Sequence, residues 1–491
     1  MNPLSRREFL KLSAYLSAVA ALQACNAPVK ALARTATPTA PPAEAQTFQT
    51  LRRITCWPRA EELARAAEIG LDAFIEEQLS PESIDDRELE DRLKEMTLLT
   101  RPASELFEKE TRRQAAEQFL RATALRAVYS KRQLYELMVD FWSNHFNIYL
   151  RKNQQIVPLK IVDDREVIRP HALGNFRDLL FASMQSPAML VYLDNALSQK
   201  ELPNENYARE LLELHTLGVD GGYTHHDIDE VARALTGWSV AGPRMDNPGE
   251  FIFRERAHDD GEKTILGQTF PAGQGIRDGE QLADLLANHP ATAQHIAYKL
   301  ARRFVSDQPP ADLVSRAAET FSHTNGDIRA VMSVILHSQE FKDSLGTKFK
   351  RPFEFIVSAL RATNAEAHPQ RFSNAMLTQM GQPLFMQPTP DGYPDTADAW
   401  KTTNGLLARW NYALTLAFNA TDDAQVDWQA LAGSSFTPEE VLNQLNGHLL
   451  GGLLDEKAQQ IILRFAADLN ESLIQPAIGA LLLASPAFQY R

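Results

Sequence analysis

PNENYARELLELHTLGVDGGYTHHDIDEVARALTGW, residues 203–238, is the stretch whose reading decides the fold class. Wound at about 100° per residue, its first half places Glu205, Asn206, Arg209, Glu210 and Glu213 on one arc. Tyr207, Ala208, Leu211, Leu214 and His215 fall on the opposite one. Asn204 stands at the capping position and Glu205 at the positive end of that helix. A second helix starts at Thr224, with Asp227 three residues on, and stops at Gly237. Working outward, apolar residues three and four apart recur over 112–149, 176–185, 281–304, 311–322, 327–342, 350–363, 405–419 and 455–469. Thr437-Pro438-Glu439-Glu440 carries a capping-box spacing with proline at the first helical position. No internal repeat of roughly 20–50 residues runs through the chain. These patterns predict a mainly α, multi-helix globular body, a single domain over residues 51–491.

One region breaks the helical pattern. FIFRE at 251–255 and KTIL at 263–266 alternate in the manner of strands, and His258-Asp259-Asp260-Gly261 lies between them. A small β-hairpin inserted at about 250–266 is expected, with Asp-Gly supplying its turn. QPLFMQPTPDGYPDTADAW, residues 382–400, is too rich in proline for a helix and reads as a long ordered loop, a type of segment that tends to carry function or plug a gap.

The N-terminus reads as an address. SRREFLK at 5–11 precedes an apolar run, 12–24, that is shorter than the roughly 20 residues a bilayer requires. Arg6 and Arg7 in this setting resemble the bacterial twin-arginine export signal, which implies passage through the twin-arginine translocase. Leu22-Gln23-Ala24-Cys25 is similar to a lipobox, with Gln23 where a small residue is usual, so residues 1–24 are expected to be removed and Cys25 lipidated. Residues 26–50, rich in Ala, Pro and Thr, then read as a tether holding the body off a membrane. The protein is thus expected at the periplasmic or outer cell-surface face, anchored by lipid.

Composition narrows the chemistry. Against 50 basic residues stand 63 acidic ones, a net charge of −13, which argues against a nucleic-acid partner. Two cysteines cannot build a structural zinc site, so any metal would rest on His, Asp and Glu. No nucleophile-elbow, His-Glu-x-x-His, Walker or dinucleotide-binding motif is present. The arc Glu205, Arg209, Glu210, Glu213 fits either a solvated, salt-bridged face or one turned to a ligand. His145 lies in the middle of an apolar arc of LYELMVDFWSNHFNIYL, 134–150, where an imidazole must find a hydrogen-bond or metal partner. His258 and Asp259 offer further donors from the hairpin turn. A metal or polar-ligand site is therefore expected between the His145 helix, the Glu205–Glu213 arc and the hairpin. Imidazole and carboxylate together suit Zn²⁺, Mn²⁺ or Fe²⁺. Arg209 is the competing cation for the glutamates.

The runs FWSNHF, RPHALGNFRDLL, SPAMLVYLDN, NENYARELLELHTLGVDGGYT, ALTGW, HDDGEKTILG, HPATAQHIAYKLARRFV, KRPFEF and GQPLFMQPTPDGYPD occur in this order between residues 141 and 395. In this they resemble the bacterial family called domain of unknown function 1800, over nearly all of 51–491. The resemblance implies export and a co-encoded exported partner similar to sulfatases and phosphatases, and it carries no catalytic residue over. Two functions remain open: a metal-dependent envelope enzyme, and a non-catalytic scaffold or chaperone for that partner.

Overall fold

The computed structural model describes residues 43–367, 374–421, 423–434 and 437–491. The expected signal region, with Arg6, Arg7 and Cys25, and most of the expected tether lie outside the described residues. The architecture is mainly α, with short antiparallel strand pairs. The first described helix, Ala43–Ile54, begins within the stretch expected to be a tether. Phe48, Leu51 and Ile54, three apart, place one face of it in the core.

Several helices fall within three residues of the limits that periodicity predicts: Phe176–Gln185, Ala311–His323, Pro352–Ala362, Thr403–Ala417 and Glu456–Ala466. Others divide where a side chain from elsewhere, or a proline, captures the backbone. The 112–149 stretch becomes Lys109–Tyr129 and Gln133–His145. At that break the buried Asp86 carboxylate accepts from Ser130 Oγ at 2.6 Å and from Lys131 N at 2.8 Å. The 281–304 stretch divides into Arg277–Ala287 and Pro290–Phe304, because Pro290 lacks the N–H that would continue the first helix. His289 caps the second, accepting from Ala291 N at 3.1 Å.

The strand region holds two hairpins. β1, Trp238–Val240, pairs with β2, Phe251–Phe253, and β3, Lys263–Ile265, pairs with β4, Gln268–Phe270. FIF and KTI are both strands, as expected, but they pair with other neighbours and not with each other. Leu266 and Gly267, both at positive φ, make the tight turn that claims KTI for QTF. One continuous apolar core reaches from Phe48 to Phe488. Among the described residues no helix is long and apolar enough to cross a membrane.

Candidate functional site

The 203–238 segment forms the helix Glu205–Glu210, widens into π-helical turns over Leu211–Thr216, and re-enters as the helix His225–Ala234. Asn204 caps the first, accepting from Asn206 N at 2.9 Å. Thr224 and Asp227 form a capping box on the second. The second helix has two polar faces with different employment. Asp227 accepts from Leu266 N at 2.7 Å and Glu230 from Thr264 N at 2.8 Å, so the β3–β4 hairpin fixes the helix's rotation. His225 and Asp229, four residues apart and hence on one face, are left to meet Glu205. The ligand atoms of Glu205, His225 and Asp229 all lie within 4.8 Å of one another. One imidazole and two carboxylates at that spacing can hold a divalent ion and leave coordination positions for water.

Arg209 lies between Glu205 and Glu213, at 3.6 and 3.9 Å, both too long for hydrogen bonds and between side chains open to solvent. Glu210 is half-buried. Burial, and then Glu213, push its carboxyl above the usual range, with Arg209 opposing.

His145 ends the Gln133–His145 helix, with its side chain in the core. Its Nε2 lies 3.1 Å from the carbonyl of His215, and His295 Nε2 lies 3.3 Å from that of Leu214. Those carbonyls belong to the end of the π-helical turn, where helical acceptors lose their own partners. A nitrogen facing a carbonyl must carry the proton, so each ring keeps Nδ1 as a bare acceptor. His145 Nδ1 has no partner among the described residues. Burial, then Lys299 and the neighbouring imidazoles, hold His145 neutral, well below its ordinary range. His215, fully buried and without a partner on either ring nitrogen, is pushed down to about 3, and His295 to about 4, both mainly by burial.

His145 also forms part of the wall of a cavity of about 360 Å³. The Pro290–Phe304 helix contributes Tyr298, Lys299 and Arg302 to it, and residues 391–396 of the proline-rich loop close it. The His145 helix and the residues just after it hold that loop by its backbone. Asn144 exchanges two hydrogen bonds with Tyr393, and Asn147 Nδ2 donates to the carbonyls of Gln387 and Thr389.

His258 and Asp259 do not join His145. His258 Nδ1 donates to Thr236 O at 2.8 Å, and its Nε2 lies 3.2 Å from Asp278 Oδ2, which also takes Lys263 Nζ at 2.6 Å. Asp259 pairs with Arg233 at 2.8 Å. Both residues anchor the strand region to its flanking helices, because a buried polar turn needs every donor and acceptor matched. The expected triple junction is thus resolved into three places: Glu205 faces His225 and Asp229, His145 faces the cavity, and His258 with Asp259 forms an anchor.

Sequence reasoning passed over His225 and Asp229, although their i, i+4 spacing was the available signal. It also passed over His295 and Lys299, which sit in a stretch read only as amphipathic.

No curated protein and no solved structure matches the chain. The family model described as Protein of unknown function (DUF1800) matches residues 49–490, from the first described helix through the core, and the chain belongs to that family.

Proposed function

We propose that this chain is an exported envelope protein, carried by the twin-arginine translocase and held at the membrane by a lipid on Cys25. Its helical body works as a divalent-metal-dependent enzyme through Glu205, His225 and Asp229. The observation that carries the reading is the gathering of those ligand atoms within 4.8 Å by two capped helices and a hairpin. A Zn²⁺, Mn²⁺ or Fe²⁺ ion held there would lower the pKa of a bound water and supply a nucleophile for hydrolysis. Elemental analysis of protein purified from its native envelope tests it. Near-stoichiometric metal in the wild type is expected, with loss in Glu205→Gln and His225→Ala and retention in Glu213→Gln. A metal-free wild type, or equal content in all variants, removes the reading. Intact mass with acyl chains on Cys25, and loss of export in an Arg6→Lys, Arg7→Lys double variant, test the address.

A second reading, a scaffold for a co-exported sulfatase- or phosphatase-like partner, draws on the exposed apolar side chains Leu197, Leu202 and Val219, which are 77%, 74% and 69% exposed and flank the Glu205 helix in sequence. Crosslinking in intact cells that captures such a partner at Leu202, in a metal-free protein, would favour it.

A further inference from the structure

The cavity beside His145 carries an imbalance of charge. Four cations line it: Lys299, Arg302, Arg303 and Arg351. Arg303 and Arg351 are committed, for both pair with Asp140 and Glu354 and reach Asp395. Lys299 and Arg302 are not. Among the described residues neither has a carboxylate within ion-pair distance, and Arg302 is engaged only by the ring and hydroxyl of Tyr298. They stand three residues apart on one helix and so project from the same face. A cation left unpaired on a cavity wall is a counter-ion waiting for a ligand.

The cavity is also too large for a bare anion, and the rings of Phe141, Tyr298 and Tyr393 line it, so the ligand has an organic body.

We propose that this cavity is a binding site for a small organic anion, a carboxylate or phosphate ester, with its charge between Lys299 and Arg302. The proposal stands apart from the metal reading, since neither Glu205, His225 nor Asp229 lines the cavity.

Calorimetric titration of the full chain with gluconate and glucose 6-phosphate as probes tests it. Glucose, which lacks charge, serves as the control. At least one of the two probes is expected to bind, and glucose at least tenfold more weakly. Lys299→Met should weaken the bound probe at least tenfold, and Arg302→Gln should weaken it as well. Asp391→Asn, which removes an exposed carboxylate from the cavity rim, should tighten it. Lys299 is pushed down to about 8 by burial, with Asp395, Arg302 and Asp391 around it and the neutral His145 and His295 alongside. Affinity is therefore expected to fall as pH rises through that value, and this loss should vanish in Lys299→Met. If Lys299→Met does not fold, Arg302→Gln and the pH dependence of the wild type carry the test. Binding of neither probe, equal binding of glucose, or affinity unchanged in both cation variants would overturn the proposal.

Discussion

Glu210 is a carboxylate that the fold makes harder to ionise: burial and the adjacent Glu213 both raise it, and Arg209 corrects only part of this. A carboxyl raised on folding contributes stability while it is protonated, and that contribution is lost as pH rises through its folded pKa. Glu210→Gln should therefore raise the unfolding free energy measured in urea at neutral pH, by no more than about 1 kcal/mol for a group still partly open to solvent, and leave it unchanged in acid. Glu354 behaves in the opposite way. Burial would raise its carboxyl, but Arg303, Arg491 and Arg351 together hold it well below the carboxylate range. Its contribution is present at neutral pH and lost as pH falls below the ordinary carboxylate range and through the lowered value. Glu354→Gln removes the carboxylate that three buried arginines share, although Arg303 and Arg351 keep Asp140, and should cost about 3–5 kcal/mol at neutral pH, with a flatter acid limb in a pH series of chemical denaturations.

At the scale of elements, the strand region depends on close approach between a glycine and a ring. A Cβ on Gly279 would lie 1.9 Å from Trp238 Cζ2, and Trp238 is fully buried, so neither can give way. Gly279→Ala should destabilise by about 1–3 kcal/mol through overpacking, read as a lowered Tm, and pairing it with Trp238→Leu should recover part of the loss. The proline-rich loop depends on hydrogen bonds in the same local way. Asn144→Ala removes both bonds to Tyr393, so faster amide exchange is expected over residues 389–396, with the helices unchanged. Helix existence was legible because burial follows apolar spacing. The break in the 109–145 run was not, because Asp86 cuts it from another part of the chain, and periodicity does not register a remote carboxylate. The hairpin partners were missed for a related reason: local alternation marks strands, but the Leu266-Gly267 turn chooses between neighbours. In the candidate site, Glu205 was legible from its arc. His225 and Asp229 were not, since their meeting with it depends on how one helix is rotated by a hairpin.

For the molecule as a whole, the charged core ties distant segments together. Arg53, fully buried, donates to the carbonyls of Phe304, Val305, Ser344 and Arg491 and to Ser344 Oγ, at 2.6 to 3.1 Å. Arg53→Met would leave the buried carbonyls of Phe304 and Val305 without a donor among the described residues, each costing about 1–3 kcal/mol. A cooperative loss of at least about 2 kcal/mol in denaturant unfolding is expected, with Glu205, His225 and Asp229 untouched. The same contact has a meaning in time. Arg52 reaches Ala487 across 435 positions and Arg53 reaches Arg491 across 438. During synthesis those guanidiniums emerge long before their acceptors exist, and a cation cannot enter the core unpartnered. Pairings of such separation are also the slowest to nucleate. The nascent body therefore stays open along this seam until residues 487–491 have left the ribosome.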